Sequence, residues 1–316
     1  MIFLAYLFTV LKNIIYGTSI FFTDSLSENV DILDILALRF LLSFLVLYLL
    51  KTFKIIEINV GVIDLIGKTE RSKYAKSLLL AAIFEPVMYM LFETLGVSMT
   101  TGITAGVILS LTPISSCICE SVILKEKTTA LQKLFLGLGI IGVIYIAVNT
   151  NTSEGKDTVS GIVFLTLAVI SGSLFMVFSR KSSSHFKTME ITYISAMLGM
   201  VTFNIINIVR HIIHSDLNEY FAPFFNLKNI IGFVFLAIIS TVIATGMNNY
   251  ALSKIQTSTS SAFSGLSTIV TITIGVFIGN EKLYPFHFIG ITLIIIRMIG
   301  VSYIAIKKDR LKDQNI

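Results

Sequence analysis

Glu85, Tyr89 and Glu93 recur at i, i+4 and i+8 in the otherwise mostly apolar stretch FEPVMYMLFETLGVSMTTGITAGVILSLTPISSCICESVILKEK, from Phe84 to Lys127. On a helix, residues eight apart lie about 12 Å apart along the axis and are turned by only about 80°. The three therefore form one slowly winding stripe of two carboxyls and a phenol. An ionisable group at bilayer depth costs roughly 2.5–3.5 kcal/mol and so faces a protein interior or a water-filled path. A carboxyl in such a place can load and release a proton, or hold the amino group of a ligand. Lys12, with Tyr16 and Ser19 on its face of the first apolar segment, offers the opposite charge. It can pair with Glu85 or Glu93, or bind a substrate carboxylate.

A shift of 155 residues brings a second set of polar groups into register with the first. It places Glu85 on Ser240, Tyr89 on Ala244 and Glu93 on Asn248, with Thr241 and Thr245 sharing a face with Asn248. If the two stripes face one another they line one cavity, acidic on one side and neutral on the other. The plainer alternative is hydrogen bonding between packed helices. Pro113 lies mid-span and removes a backbone hydrogen bond. Irregular backbone at that depth is tolerated where it lines a cavity, so Ser110, Thr112 and Ser116 are candidates for substrate contact, against a simple packing kink. Pro86 is expected to bend its span beside Glu85.

Other chemistry-bearing residues have plainer readings. Gly102 and Gly106 form a GxxxG, and TSTSSAFSGLSTIVTITIG is rich in small hydroxyl residues; both read as close helix packing. Arg39 reads as structural, near the end of its helix, and Arg297 as deeply placed with a partner not identifiable from sequence. His211 and His214 form an HxxH with too few further ligands for a metal site. Cys117 and Cys119 read as reduced and structural. There is no Gly-rich phosphate loop and no catalytic triad, so an enzyme or an ATP-driven pump is unsupported, and no cofactor or metal is expected.

The elements that position these groups are membrane spans. Hydrophobic residues make up 54% of the chain, charged residues 14%, and the mean hydropathy is +0.86. A soluble domain carries about 25% charge, so the solvent of this chain is mostly lipid. The net charge of +5 is spread over several loops and does not suggest a nucleic-acid partner. Ten apolar windows stand out, near 2–22, 32–50, 77–98, 102–124, 134–149, 160–178, 191–213, 229–252, 258–279 and 286–306. The first lacks a basic n-region and a cleavage site and reads as a span, not a removed signal peptide. If the N-terminus is inside, most basic residues fall in cytoplasmic connections, and the outer connections hold only Lys156, Arg210, Lys228 and Lys282. The positive-inside rule then puts both termini in the cytoplasm.

The same offset of 155 also pairs Ser98 with Ser253, Thr104 with Thr259, Leu111 with Leu266, and Glu126-Lys127 with Glu281-Lys282. Five spans per copy is an odd number, so the second copy is inverted. Inverted repeats mark secondary transporters, with the site between the halves. The expected fold is an all-α polytopic membrane protein of ten transmembrane helices in two inverted five-helix repeats, 1–150 and 158–308, followed by a cytoplasmic tail, 309–316.

In these features the chain resembles the EamA family of the drug/metabolite transporter superfamily. The resemblance rests on the five-plus-five duplication, ALRF at 37–40, LTP at 111–113, the EK pairs at 126–127 and 281–282, and MIGVSYIAI at 298–306. It covers nearly the whole chain. The chain departs by having no tryptophan and no arginine in the seventh span to match Arg39. The resemblance implies a carrier in the cytoplasmic (inner) membrane, with a central cavity, often exporting amino acids or other small metabolites. The acidic stripe favours an amine-bearing substrate, with protons as the coupling ion. Two alternatives stay open: a transporter of an organic anion or phosphate ester using Lys12, Arg39 or Arg297, and a non-transporting membrane scaffold or sensor whose buried charges pair off. The oligomeric state is not legible.

Overall fold

The computed structural model describes residues 2–60, 72–125, 157–279 and 284–313, with scattered positions between 129 and 145. Most of the fifth apolar window and both EK pairs lie outside the described residues, so the expectations placed on them are not addressed by the fold.

The described chain is helical apart from short connections, as long apolar segments must be when lipid offers their backbone no hydrogen bonds. The first helices are α1 (Ile2–Ser27), α2 (Ile32–Thr52) and α3 (Ser72–Ala82). A π-helical turn, Ile83–Met88, joins α3 to α4 (Tyr89–Ser98). Then follow α5 (Gly102–Leu109), α6 (Thr112–Ile123), α7 (Val159–Ser182), α8 (Thr188–His214) and α9 (Leu227–Val234). A second π-helical stretch, Phe235–Ala244, leads into α10 (Thr245–Lys254). The chain closes with α11 (Thr257–Ala262), α12 (Gly265–Phe277) and α13 (Pro285–Asp313). Among the described residues, eight continuous or joined helices are long and apolar enough to cross a membrane.

Local sequence sets the starts of these helices. Asp31, Thr101 and Thr158 cap α2, α5 and α7, each side chain accepting a hydrogen bond from a backbone N–H of the first turn. Such caps satisfy donors that a helix start leaves open. Pro113 falls in the first turn of α6, where its missing N–H costs nothing. The fourth span is thus two helices meeting at Ser110-Leu111.

Two irregularities recur at similar spacing. The π-helical turn 83–88, shifted by 155, falls at 238–243, inside the second π-helical stretch. The break between α5 and α6 has a counterpart between α11 and α12, and the residues capping α5 and α11, Thr101 and Gln256, are 155 apart.

Helices α1 and α2 pack chiefly on elements from later in the chain. α1 lies against α12, α10 and the second π-helical stretch, and α2 lies against α8 and the same stretch. Glycines and threonines make the closest approach. Thr271 Oγ1 donates to the Gly17 carbonyl and Thr268 Oγ1 to the Gly106 carbonyl, both at 3.0 Å. A Cβ at Gly17 would stand 2.5 Å from the Ser267 carbonyl oxygen, and one at Gly106 would stand 3.2 Å from Thr271 Cβ. The close packing expected at Gly106 is therefore found against α12.

Candidate functional site

Glu85 sits where its helix fails. A proline disfavours helical backbone at the residue before it, and Glu85 has φ −141° and ψ 115° inside the π-helical turn. Pro86 has no N–H to continue the helical ladder. Turns of this kind recur at functional sites. The regular stripe expected from Glu85 to Glu93 is therefore broken at its first member. Tyr89 and Glu93 remain on α4, where the Tyr89 hydroxyl donates to Glu93 Oε1 at 3.4 Å.

All three face one cavity of about 90 Å³. A water needs roughly 10–15 Å³ in the same measure, so there is room for several waters or a small ligand. Four buried charged residues line it: Glu85, Glu93, Lys12 and Arg39. The phenols Tyr16 and Tyr89 stand beside them.

The two cations are held by neutral groups. The Lys12 ammonium donates to Asn248 Oδ1, and to Ser260 Oγ at 3.1 Å. Arg39 donates from Nε to Thr241 Oγ1 at 2.8 Å and from Nη2 to Ser240 Oγ at 3.3 Å. The π-helical stretch 235–244 presents Ser240 and Thr241 side by side to that guanidinium. Among the described residues, no lysine or arginine nitrogen lies within 4.0 Å of the Glu85 or Glu93 carboxylate. The cavity thus holds two basic and two acidic side chains that do not satisfy one another directly.

Ser240 and Asn248 line the cavity. Thr241 and Thr245 line a smaller cavity that Glu85 also borders, and Thr245 Oγ1 lies 3.4 Å from the Tyr16 hydroxyl. Ser110 does not reach the cavity: it is buried and its hydroxyl donates to the Val107 carbonyl at 2.6 Å, the local back-bonding that short hydroxyl side chains favour. Pro113 is buried beside the cavity rather than on its wall, whereas its neighbour Thr112 is a lining residue.

From sequence, Arg39 reads as structural except in the organic-anion alternative, and Ser260, Ser261, Ser264 and Ser267 read as packing; all five line the cavity. Ser260 and Ser261 lie on α11, Ser264 precedes α12 and Ser267 is on it, so the break between the two helices brings together hydroxyls that helical spacing does not group. The HxxH pair does not converge. His211 places Nε2 2.9 Å from Asp34 and Nδ1 2.8 Å from Asp216, while His214 is exposed. Among the described residues, the buried Arg297 guanidinium has no hydrogen-bond partner.

Membrane-length helices closing around a buried cavity lined by charged side chains define a polytopic membrane protein with a polar interior. The chain belongs to the EamA-like transporter family, whose pattern matches residues 3–148 and 159–303. It is accordingly a transporter and not an enzyme. It is 30% identical to the uncharacterized transporter YcxC of Bacillus subtilis (strain 168), over 97% of this chain and 95% of that one. It is 23% identical to an uncharacterized transporter of Archaeoglobus fulgidus, over 81% of this chain and 86% of that one. A solved structure described as "Crystal structure of protein" has the same fold, with a TM-score of 0.64 at 15% identity, covering 95% of this chain and 98% of the other.

Proposed function

We propose that the protein is a secondary transporter that moves a small amine-bearing metabolite, an amino acid foremost, out across the cytoplasmic membrane in exchange for protons. The observation that carries this reading is the cavity with two carboxylates and two cations lacking direct partners in one another. A zwitterion complements it: an ammonium between Glu85 and Glu93, a carboxylate at Lys12 and Arg39. Buried charges need such partners, because removing them from water is otherwise expensive. Hydroxyls on α11 and α12 offer hydrogen bonds that adapt to more than one ligand pose.

In the same reading the chain has ten spanning helices in two inverted halves, 1–150 and 158–308, with both termini in the cytoplasm. The recurrence of the π-helical turns and of the split helices at an offset near 155 supports the duplication. The distribution of lysine and arginine supports the orientation.

One observation favours a second reading. Arg39 lines the cavity, so Lys12 and Arg39 together would hold an organic anion or a phosphate ester if the glutamates were protonated. A scaffold or sensor predicts paired charges and no cavity, which is not the arrangement here. The test is a comparison of metabolites taken up and released by cells with and without the protein. Selective release of amine-bearing compounds is expected. Selective movement of compounds lacking an amino group would favour the second reading, and no difference across metabolites would contradict both.

A further inference from the structure

Between the cavity and the end of α7 that carries Arg180, helices α6 and α11 meet along a polar seam. Thr112, Ser116 and Glu120 recur at i, i+4 and i+8 on α6, so they form one slowly winding face about 12 Å long. Thr112 lines the cavity. One turn on, Ser116 Oγ lies 2.6 Å from Ser261 Oγ of α11. At the next turn, Glu120 Oε1 accepts a hydrogen bond from the backbone N–H of Thr257, the first residue of α11, at 3.1 Å. The same oxygen accepts another from Arg180 Nη1 on α7. Glu120 is buried, at 3% exposure, whereas the Arg180 side chain is 24% exposed.

We propose that this seam is the cytoplasmic gate of the substrate cavity, and that Glu120 is its latch. The inference rests on the proposed function, which makes the cavity the substrate site and the Arg180 end cytoplasmic. Helix α6 falls in the first segment of the family match, 3–148, and α7 and α11 in the second, 159–303. One carboxylate thus ties the two segments together. Its partners sit one turn beyond the cavity: Thr257 is one turn before the lining residue Ser260, and Arg180 one turn after the lining residue Met176. A buried carboxylate needs partners of this kind, and hydrogen bonds to a charged acceptor are roughly twice as strong as neutral ones. When the seam parts, water enters from the end where Arg180 already meets it. The ion pair is then exchanged for hydration, so the element has two arrangements, one closed and paired, the other open and solvated.

The elements beside the seam are joined to one another at the same level. Ser179 Oγ donates to Asn249 Oδ1 at 2.7 Å, and Asn249 Nδ2 donates to Thr192 Oγ1 at 2.9 Å. These bonds hold α7, α10 and α8 together, and parting α6 from α11 breaks neither of them. The path so opened runs from Thr112 and Ser260 on the cavity wall to the end of the bundle that carries Arg180 and Lys181.

The test needs neither a substrate nor a pH gradient. In the full chain lacking Cys117 and Cys119, Ser264→Cys places a thiol on the cavity wall. Its reaction with a small impermeant methanethiosulfonate is timed in intact cells and in inside-out vesicles made from them. Glu120→Gln keeps the shape of the side chain and removes its charge. It is expected to speed labelling in the inside-out vesicles by roughly ten-fold or more, with no acceleration in intact cells. Arg180→Gln, at a partly exposed position, is expected to act in the same direction, which covers the case of a poorly folded Glu120 variant. Wild-type labelling rates in the folded variants, or equal acceleration from both sides, would overturn the latch. Unchanged labelling together with selective release of amine-bearing compounds would place the failure in the latch. Accelerated labelling with no selective release would place it in the functional reading beneath.

Discussion

Lys12 and Glu85 line one cavity without forming an ion pair: the Lys12 ammonium donates to Asn248 and Ser260 instead. In the proposed function each group is thereby kept available to a ligand. Lys12→Met should abolish stabilisation of the detergent-solubilised protein by amino acids, since a hydrogen bond to a charged group contributes about 1.5–3 kcal/mol. Stabilisation by amines lacking a carboxylate should persist. Melting temperatures measured across a panel of both ligand types check this; equal loss for both would argue against a carboxylate site at Lys12.

Gly17 and Gly106 both face α12, with different tolerance. At Gly17 an added Cβ meets backbone, the Ser267 carbonyl oxygen at 2.5 Å, whereas at Gly106 it meets the Thr271 side chain at 3.2 Å. Gly17→Ala should therefore lower stability by about 1–3 kcal/mol, as overpacking does. Gly106→Ala should be milder, and Gly106→Leu should prevent folding. The ranking is checked by thermal unfolding in detergent; a Gly17→Ala protein as stable as wild type would remove the close-packing argument.

Acid should weaken the connection after α8. The hydrogen bond with His211 at 2.8 Å holds the Asp216 carboxyl below its ordinary value of 3.8. A lowered folded-state value means that the stabilisation is complete above about pH 3.8 and is lost as pH falls through the lowered value. Asp216→Asn should accordingly flatten the acid limb of the stability profile below that pH. Unfolding midpoints measured from pH 6 downward test the sign; an unchanged acid limb would mean that the contact contributes nothing.

The two ends of α7 report orientation. Ser160 and Ser184 are exposed at opposite ends of that helix. In a background lacking Cys117 and Cys119, an impermeant thiol reagent added outside intact cells should label Ser160→Cys and not Ser184→Cys. The reverse pattern would invert the proposed topology.

Much of this was legible in the sequence, for identifiable reasons. Apolar length marked the spans, and an ionisable residue inside a span marked Glu85, Glu93 and Lys12 as residues that need polar surroundings. What periodicity missed comes from broken backbone. Glu85 leaves the helix because of Pro86, so the regular i, i+4, i+8 stripe is not the arrangement that forms. Arg39 read as structural because nothing in its own helix reveals that a π-helical stretch some 200 residues later turns Ser240 and Thr241 toward it. Hydroxyls are ambiguous for a further reason: Ser110 satisfies itself on its own helix, while Ser260 reaches Lys12. Residue type alone does not separate those outcomes.

In the proposed mechanism Glu85 couples substrate movement to protons inside this cavity. The most direct measurement is transport in vesicles under an imposed pH gradient, using the metabolite that cells carrying the protein release, with wild type and Glu85→Gln compared. The substitution keeps size and hydrogen bonding but cannot ionise. Wild-type flux should follow the gradient, and Glu85→Gln should lose that response while retaining substrate exchange in its absence. Gradient-driven flux in Glu85→Gln equal to wild type would contradict proton coupling at Glu85 and leave it as a structural polar residue.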